Sequence, residues 1–459
     1  MKQKLTILGA GESGTGAALL GQAKGYEVFV SDRGTIADHY RQELDQAGIA
    51  YEEGQHTEAR VLQADLVVKS PGIPDSAPLV VQLREQGTPV ISEIEFAGRY
   101  VAPEAKTVLI TGTNGKTTTT LLTHHLLVQA GVNAALCGNV GHSMARVVLE
   151  GGFAVYVVEV SSFQLDGMEE FRADVATILN ITPDHLDRYG YEMQRYVDSK
   201  FRVLQNMRPQ DHFVYVADDA VVSAELEKRQ PAVKLHPVTQ QEEMNYDASV
   251  MGETLVIRSD DRLCDWYYPT EEVSIKGPHN RLNAMVAATM CRLLGLGEAD
   301  IREGLANFRN APHRMEPVGH LDGVAFVNDS KATNVDSVKQ ALGSYPGQPL
   351  VWVAGGIDKG NDYTLIADLV REHVKAVVCL GKDNEKLRAF AESLGKSVAE
   401  TQDTSEAIRL ALDFAQSGDV VLLSPACSSF DLFQNYMDRG DKFRAAVAQV
   451  IEEREKMDS

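Results

Sequence analysis

The sequence predicts an α/β protein of three domains with mainly parallel sheets. Three observations lead to this prediction: a phosphate-binding loop between an apolar strand and a helix, a glycine-rich turn after the first strand, and a repeated strand–loop–helix pattern in the last third of the chain. At 459 residues, the chain is about three times the usual domain length, which agrees with that count. We expect domains at residues 1–100, 101–310 and 311–459.

The composition is that of an acidic globular protein, with 44% hydrophobic residues, 24% charged residues and a formal net charge of −21. This charge argues against a nucleic-acid-binding surface. The five cysteines are Cys137, Cys264, Cys291, Cys379 and Cys427. They lack C-x-x-C spacing, which predicts a reducing compartment without disulfides or a zinc site. Because we find no signal-peptide pattern and no apolar run of about 18 residues, we expect a cytoplasmic protein without a membrane partner.

The segment VLITGTNGKTTTT, residues 108–120, predicts a phosphate-binding loop. A strand that leads through a glycine-bearing loop into a helix directs backbone N–H groups and the helix dipole at a phosphate group. Lys116 would reach the β- and γ-phosphates, and Thr117 carries the hydroxyl that such loops give to Mg²⁺. The strict pattern has glycine where this chain has Ile110, so a tight turn with a surface lysine is the alternative.

A G-x-G-x-x-G turn, residues 9–14, follows a strand predicted at residues 2–7. A second strand ends in Asp32, at the distance where dinucleotide-binding folds place a ribose-binding acid. Binding of NAD, binding of another nucleotide, and close packing of helix on strand are equally compatible with this turn.

A third predicted strand, residues 65–70, leads into the turn SPGIP, residues 70–74. Ligands of open α/β sheets bind at the carboxyl ends of strands, so this turn is either a binding loop or a turn only. A further strand is predicted in PVISEIEF, residues 89–96.

Two residues of the central domain are candidate metal ligands. Glu159 closes the apolar run VYVVE, where a Mg²⁺-directed acid lies in phosphate-loop folds. His185 lies near the start of a helix predicted after Pro183, either as a structural residue or as a second metal ligand.

Three other polar residues of this domain have an ordinary explanation from residue type. Lys200 looks like a solvated helix lysine. Asn280 and Asn283 lie near the start of an amphipathic helix, where asparagine caps the helix or reads an adenine edge. We assign no function to residues 220–275.

The last domain alternates four apolar strands with helices, which predicts a small doubly wound sheet. Polar clusters follow three of these strands, at residues 329–333, 358–359 and 424–429. Because the carboxyl ends of parallel strands meet at one edge of a sheet, these clusters are expected to line one crevice.

Taken together, the motifs resemble those of the Mur ligases. The matching segments are SPGIP, GTNGKT, EVSSFQL, TPDHLDRY, PHNRLNA, PHR, NDSKATN and SPACSSFDLF, in that order along the chain. The order covers residues 7–444 and is far more specific than any single motif. Two departures are GKTT where some relatives have GKST, and Tyr436 where a phenylalanine is common.

The resemblance implies a Rossmann-like N-terminal domain for a uridine nucleotide, a central ATP-binding domain and a C-terminal amino-acid-binding domain with a dinucleotide-type fold. It implies an ATP-dependent amide ligase that adds D-glutamate to UDP-N-acetylmuramoyl-L-alanine in peptidoglycan precursor synthesis. The reaction would pass through an acyl phosphate and a tetrahedral intermediate. The implied partners are these small molecules alone, bound by a monomer.

The resemblance also implies roles for individual residues. Lys116, Glu159, His185 and a carbamylated Lys200 would form the catalytic centre, and Thr117, Glu159, His185 and Lys200 would hold two Mg²⁺ ions. ATP would contact Gly112, Thr113, Asn114, Gly115, Lys116, Thr117, Thr118, Asn280, Asn283, Arg314 and Asp329. The UDP-sugar would contact Gly11, Glu12, Ser13, Gly14, Asp32, Ser70, Pro71, Gly72, Asn139, Ser161 and His185. D-Glutamate would contact Lys331, Thr333, Lys359, Ser429 and Tyr436.

Other functions are compatible with parts of the sequence. A sister ligase that adds a different amino acid, or a folylpolyglutamate synthase, would share the fold and mechanism. An NAD-dependent dehydrogenase would explain residues 7–32 but would leave the phosphate loop and the third domain without a role. A non-catalytic nucleotide-binding module would leave the repeated lysines and acids at strand ends unexplained.

Overall fold

The computed structural model describes residues 2–258, 265–345 and 347–457. Three β-sheets follow one another along the chain, which confirms the predicted α/β class and the mainly parallel sheets. No helix of the described residues has both the length and the apolar character needed to cross a membrane. Four cysteines are buried with free thiols, and Cys264 lies outside the described residues.

The first sheet has five parallel strands in the order β3-β2-β1-β4-β5. Its strands are β1 (Lys4–Leu8), β2 (Glu27–Ser31), β3 (Ala50–Glu52), β4 (Leu66–Lys69) and β5 (Val90–Ser92). Its helices are α1 (Glu12–Ala23), α2 (Asp38–Ala47), α3 (Glu58–Val61), α4 (Pro78–Glu85) and α5 (Glu93–Gly98).

The prediction of a strand over residues 89–96 is wrong in its second half. Only Val90–Ser92 is a strand, and α5 begins at Glu93. Ser92 causes the change, because its hydroxyl accepts the backbone N–H of Glu95 and caps the helix.

The second sheet has nine strands in the order β14-β13-β12-β11-β10-β9-β6-β8-β7, antiparallel only between β12, β13 and β14. Its first strands are β6 (Lys106–Thr111), β7 (Ala134–Gly138), β8 (Val155–Glu159), β9 (Val175–Ile178) and β10 (His212–Val216). The others are β11 (Lys234–Val238), β12 (Ala248–Met251), β13 (Thr254–Ile257) and β14 (Trp266–Pro269).

Both α-helices and 3₁₀ turns accompany this sheet. The α-helices are α6 (Lys116–Gln129), α7 (Met144–Glu150), α8 (Ser162–Leu165), α9 (Met193–Phe201), α10 (Ala220–Arg229), α11 (Pro278–Leu293) and α12 (Glu298–Asn307). Two 3₁₀ turns, Leu186–Tyr189 and Arg202–Leu204, flank α9.

The third sheet has six strands in the order β15-β16-β20-β17-β18-β19, and β15 alone runs antiparallel to its neighbour. Its strands are β15 (Glu316–Leu321), β16 (Val324–Asn328), β17 (Leu350–Ala354), β18 (Val374–Leu380), β19 (Ser397–Thr401) and β20 (Val420–Leu423). Its helices are α13 (Val335–Leu342), α14 (Ala367–His373), α15 (Glu385–Ser393), α16 (Thr404–Phe414) and α17 (Tyr436–Met457), with a 3₁₀ turn at Tyr363–Ile366.

The sequence predicted four strands here, and the two that it missed lie at the edges of the sheet. Strands β15 and β19 are mostly half-exposed or exposed, so neither forms a continuous apolar run. The four predicted strands are buried on both faces, and this burial produces the apolar runs.

The chain forms two compact units. One contains Met1–Ser274 with Leu282–Phe308, and the other contains Ile275–Arg281 with Arg309–Ser459. The first two sheets lie in the first unit and the third sheet in the second. The boundaries 1–100, 101–310 and 311–459 stay predictions.

Helix α1 packs on α7 inside the first unit, and this contact joins the first sheet to the second. Glu93 is fully buried nearby, and its Oε1 accepts the Ala145 N–H at 2.5 Å, while its Oε2 has no hydrogen-bond partner among the described residues. Burial raises the pKa of Glu93 from 4.5 to about 8.

Glu93→Gln is expected to change how stability depends on pH. Since the folded-state pKa exceeds the unfolded value, Glu93 contributes stability below pH 4.5 that is lost as the pH rises through about 8. The glutamine variant should therefore match the wild-type thermal midpoint at pH 5 and exceed it by a few degrees above pH 8. Calorimetric scans across this range measure the difference, with the exposed Glu104→Gln as control. A constant difference at every pH would contradict the assignment.

Candidate active site

The predicted phosphate loop lies between β6 and α6, and α6 begins at Lys116. Ile110, which replaces the first glycine of the strict pattern, is an interior residue of β6 paired with Glu159 and Thr177. The loop proper therefore begins after it. Gly115 adopts a φ of 84°, and an added Cβ would lie 2.6 Å from the Asn283 Oδ1, so the turn requires glycine.

Asn180 supports the loop from the end of β9, a role that was not predicted from the sequence. Its Oδ1 accepts the Asn114 N–H at 2.8 Å, its Nδ2 donates to the Asn114 carbonyl at 3.0 Å, and its own carbonyl accepts the Thr113 N–H at 2.9 Å. Its position just after a buried strand was the signal available. It fixes the loop backbone.

Two lysine ammonium groups meet at the Gly112 carbonyl. Lys116 donates to the carbonyls of Gly112 and Thr113 at 2.8 and 2.7 Å, and Lys200 donates to the Gly112 carbonyl at 2.8 Å. The ammonium group of Lys116 thus places positive charge at the phosphate loop, a suitable position for contact with a nucleoside triphosphate.

The interpretation of Lys200 as a solvated helix lysine is wrong. Its side chain is 1% exposed, and its Nζ lies 4.7 Å from the centroid of the Tyr196 ring. Burial, followed by the charge of Lys116, holds the pKa of Lys200 well below its usual value. The ammonium group therefore loses its proton far more easily than a surface lysine does.

Glu159 ends β8 beside the loop and is buried. Its Oε1 accepts the Asn139 Nδ2 at 2.7 Å, and its buried Oε2 has no hydrogen-bond partner among the described residues. Gly138 has a φ of 101°, and an added Cβ would lie 2.3 Å from the Glu159 carbonyl oxygen. Glycine is therefore required where this strand end approaches β7.

This environment fits a Mg²⁺ ion. Among residues 2–258, 265–345 and 347–457, no three histidine, cysteine or acidic side chains converge on one point. Mg²⁺ does not need such a cage, since it binds through one or two carboxylates together with substrate phosphates and water. The orphaned Oε2 of Glu159 and the hydroxyl of Thr117 are suitable protein ligands.

His185 does not begin a helix as predicted, since the 3₁₀ turn starts at Leu186. His185 has a left-handed backbone with φ of 52°, and its N–H donates to the Asp184 Oδ1 at 2.9 Å. The ring packs edge-on against Phe163, with centroids 5.3 Å apart, and is half-exposed.

In the first sheet, Asp32 organises the glycine-rich turn. Its Oδ2 accepts the Ala10 N–H at 2.6 Å and its Oδ1 accepts the Gly34 N–H at 2.7 Å. Glu12 points toward α7, where its Oε1 accepts the Ser143 N–H at 2.9 Å and pairs with Arg146 at 3.1 Å.

The other residues predicted for the UDP-sugar lie at ends of strands or helices. Ser13 and Gly14 belong to α1, and an added Cβ at Gly11 or Gly72 meets no described atom within 4 Å. Ser161 caps α8 by accepting the Gln164 N–H, and Gln164 accepts the Ser161 N–H in return. Ser70, Pro71 and Gly72 follow β4.

The predicted adenine-binding pair lies on α11. Asn283 accepts a hydrogen bond from the Thr119 hydroxyl at 3.2 Å, which links α11 to α6 in the first unit. Asn280 donates from its Nδ2 to the Lys276 carbonyl at 2.8 Å, within the segment Ile275–Arg281 of the second unit.

In the second unit, Asp329 follows β16 and is buried. Its Oδ1 accepts the Met315 N–H at 3.2 Å and its Oδ2 accepts the Ser424 hydroxyl at 3.1 Å. Burial raises the pKa of Asp329 to about 7, against the opposing effects of the Met315 and Ser424 hydrogen bonds and of the charge of Arg314. This carboxyl group is therefore poised to change protonation near neutral pH.

Lys331 lies over Tyr436, with its Nζ 3.9 Å from the ring centroid. Ser429 is buried on the loop after β20, whereas Lys359 is exposed after β17. The structure therefore places Lys331 and Tyr436 in contact. Thr333 donates its N–H to the Lys331 carbonyl at 2.9 Å.

Arg439 connects these loops through hydrogen bonds, a role that was not predicted from the sequence. It is 1% exposed and donates to the Ser330 hydroxyl at 3.0 Å, to the Ser330 carbonyl at 2.8 Å, and to the carbonyls of Gly355 and Cys427 at 3.3 and 3.2 Å. Burial lowers the pKa of Arg439 to about 10. An isolated arginine in a helical segment gives no local signal for such contacts.

The fold and these contacts define a nucleotide-dependent α/β protein whose phosphate loop is surrounded by lysines and a buried acid. Three segments match known family descriptions: residues 4–78 the MurD N-terminal domain, residues 110–291 the Mur ligase middle domain, and residues 313–427 the Mur ligase glutamate ligase domain. The chain belongs to the Mur ligase family. The family resemblance of the motifs is thus confirmed.

Two relatives that match over nearly the whole chain carry the same name. The UDP-N-acetylmuramoylalanine–D-glutamate ligase of Cytophaga hutchinsonii is 50% identical over 98% of this chain and 100% of that protein. The enzyme of the same name from Bacteroides fragilis is 48% identical over the same shares.

Among solved structures, the UDP-N-acetylmuramate–alanine ligase MurC from Thermotoga maritima superposes with a TM-score of 0.62, at 19% identity, over 97% of this chain and 99% of that chain. MurF from the same organism, in complex with ADP, has a TM-score of 0.60 at 15% identity, over 93% and 95%. These likenesses concern the fold. The match at residues 4–78 disfavours the dehydrogenase alternative.

Proposed function

We propose that this chain joins D-glutamate to the alanine carboxylate of UDP-N-acetylmuramoyl-L-alanine and converts ATP to ADP and phosphate. The observation that carries the proposal is the meeting of Lys116 and Lys200 at the Gly112 carbonyl, in a chain 50% identical to a UDP-N-acetylmuramoylalanine–D-glutamate ligase. The reaction would serve cytoplasmic peptidoglycan precursor synthesis, and a monomer is expected.

The chemistry follows from the weakness of a carboxylate as an acyl donor. A carboxylate oxygen attacks the γ-phosphorus of ATP, ADP leaves, and an acyl phosphate forms. The amine of D-glutamate then attacks the carbonyl carbon. The resulting tetrahedral intermediate expels phosphate as the amine loses a proton. Each step develops negative charge on oxygen, which positioned cations stabilise.

The phosphate-loop residues 112–118 would orient the phosphates, with Lys116 turning from the loop carbonyls to the γ-phosphate. Thr117 and Glu159 would hold one Mg²⁺, and His185 and Lys200 a second. The ions, when bound, neutralise charge on the transferred phosphoryl group.

We propose that Lys200 is carbamylated. Its lowered pKa supports this modification, because only a neutral amine attacks carbon dioxide, losing a proton and gaining a carboxylate. The product is an anion able to bind Mg²⁺, which a protonated lysine cannot do.

The direct test is phosphate release from ATP in the presence of UDP-N-acetylmuramoyl-L-alanine, with candidate amino acids added one at a time. Release should require both D-glutamate and Mg²⁺. Release driven by another amino acid would contradict the proposed specificity. An absence of release with all of them would contradict the ligase function.

Lys331→Ala should weaken D-glutamate far more than ATP. Lys331 lies against Tyr436, and it is a candidate cation for a substrate with two carboxylates. We expect the KM for D-glutamate to rise about tenfold or more, from the loss of a charge-assisted hydrogen bond. Lys442→Ala is the matched control, since Lys442 also lies over an aromatic ring, at 5.2 Å from the Phe433 centroid, and is half-exposed. Equal effects on both substrates would argue against the assignment.

A further inference from the structure

One arginine of the first unit connects the loop after β4 to the segment that carries His185. Arg188 donates from Nη2 to the Pro71 carbonyl at 3.2 Å and from Nη1 to the Gly72 carbonyl at 3.3 Å. It lies on the 3₁₀ turn Leu186–Tyr189, directly after His185. One side chain therefore spans from the predicted nucleotide loop to the predicted metal-binding turn.

The same guanidinium group packs on an aromatic ring. Its carbon lies 4.3 Å from the centroid of Phe163, on α8. Phe163 meets the ring of His185 edge-on at 5.3 Å and stacks on Tyr189 at 6.1 Å. A displacement of Arg188 would therefore displace the Phe163 ring and, through this ring, the imidazole of His185.

Tyr189 extends this network toward Lys200. Its hydroxyl donates to the Asp166 Oδ2 at 3.0 Å and lies 3.2 Å from the Ser199 Oγ. Ser199 is the residue before Lys200 on α9. The turn that carries Arg188 therefore follows His185 in the chain and contacts α9 at the residue before Lys200. It thus adjoins both segments of the predicted second metal site.

The guanidinium group of Arg188 is held by backbone carbonyls rather than by an acidic side chain. In the described part of the chain, no carboxylate lies within ion-pair distance of its guanidinium group, so its charge is directed at the two backbone carbonyls. A cavity of about 500 Å³ adjoins it, with Pro74, Phe163, Tyr189 and Arg195 in its wall. The hydrogen bonds of Arg188 therefore connect the two segments beside this open space.

We propose that Arg188 is a positioning residue that couples uridine-nucleotide binding at residues 70–72 to the geometry of His185. The inference rests on the proposed function, in which residues 70–72 bind the UDP-sugar and His185 contacts the metal. The planar guanidinium holds two donors in a fixed fork while its face stacks on the Phe163 ring, a combination that the compact ammonium group of a lysine does not reproduce. Nucleotide binding would then restrict the motion of residues 70–72, and with them that of Arg188 and His185.

The test compares Arg188→Ala and Arg188→Lys with Arg195→Ala. Arg195 borders the same cavity, but in the described part of the chain it forms its ion pair with the nearby Glu192, at 2.8 Å, and is largely exposed. We expect Arg188→Ala to lower kcat/KM for the UDP-sugar about 10- to 100-fold, the loss that corresponds to a charge-assisted hydrogen bond. Both kcat and KM should change, Arg188→Lys should recover only part of the loss, and the KM for ATP should stay unchanged.

Calorimetric binding of UDP alone separates this inference from the proposed function. Wild type and Arg195→Ala should bind UDP equally, and Arg188→Ala more weakly at the same thermal midpoint. Equal binding and turnover in all three proteins would overturn the role of Arg188. Weaker UDP binding by Arg188→Ala together with a lower thermal midpoint would also overturn it, because the loss would then reflect general destabilisation. Failure of the wild type to bind UDP would instead overturn the proposed function.

Discussion

Lys116→Ala is expected to reduce phosphate release by about a thousandfold or more, because phosphoryl transfer depends on cations fixed beside the transferred group. Lys116 is the first residue of α6, and its ammonium group already lies at the phosphate loop, on the carbonyls of Gly112 and Thr113. No other lysine of the loop itself could replace it.

The matched control for this variant is Lys106→Ala. Lys106 is on β6, the strand that leads into the same loop, but it is exposed and pairs with Asp174 at 3.3 Å. Its loss should leave turnover near that of the wild type. The Lys116 variant should keep its thermal midpoint, since its side chain is only partly buried. Near-normal turnover by a folded Lys116→Ala protein would refute the phosphate-binding role.

Lys200→Ala is expected to abolish turnover and to be rescued in part by short carboxylic acids. The alanine leaves a space where a buried side chain lay, and a small carboxylate there would supply the anion that carbamylation otherwise provides. Formate and acetate, added over a range of concentrations to the phosphate-release assay, measure the rescue.

The control for rescue is Lys116→Ala, which should gain nothing from carboxylates because its loss removes a cation. Rescue of Lys200→Ala by added amines would contradict carbamylation, since it would mean that the native group acts as a cation. Lys200→Arg should stay inactive with either additive, because a guanidinium group fills the space and does not form a carbamate under these conditions.

The sequence was informative where burial and chain order coincide. Parallel strands buried on both faces appear as apolar runs, and polar residues directly after them lie at the carboxyl edge of the sheet. Glu159 and Asp329 were found in this way, and the structure buries both at the ends of strands. The edge strands β15 and β19 were missed because half-exposed strands have no such run.

The supporting residues were less accessible to sequence reasoning. Asn180, Arg188 and Arg439 act through hydrogen bonds to backbone carbonyls or amides distant in the chain, and residue type gives no sign of such contacts. The sequence around Lys200 does contain a local indication that this side chain is buried. Tyr196 and Lys200 are four residues apart on α9, and both are buried on one helix face.

Isotope transfer tests the central claim, that ATP activates the substrate carboxylate as an acyl phosphate. UDP-N-acetylmuramoyl-L-alanine would carry a heavy oxygen isotope in both carboxylate oxygens, and the phosphate released in the presence of D-glutamate would be analysed by mass spectrometry. The account predicts that each phosphate contains one labelled oxygen and that the amide product keeps the other. Unlabelled phosphate from a reaction that forms the amide would contradict it.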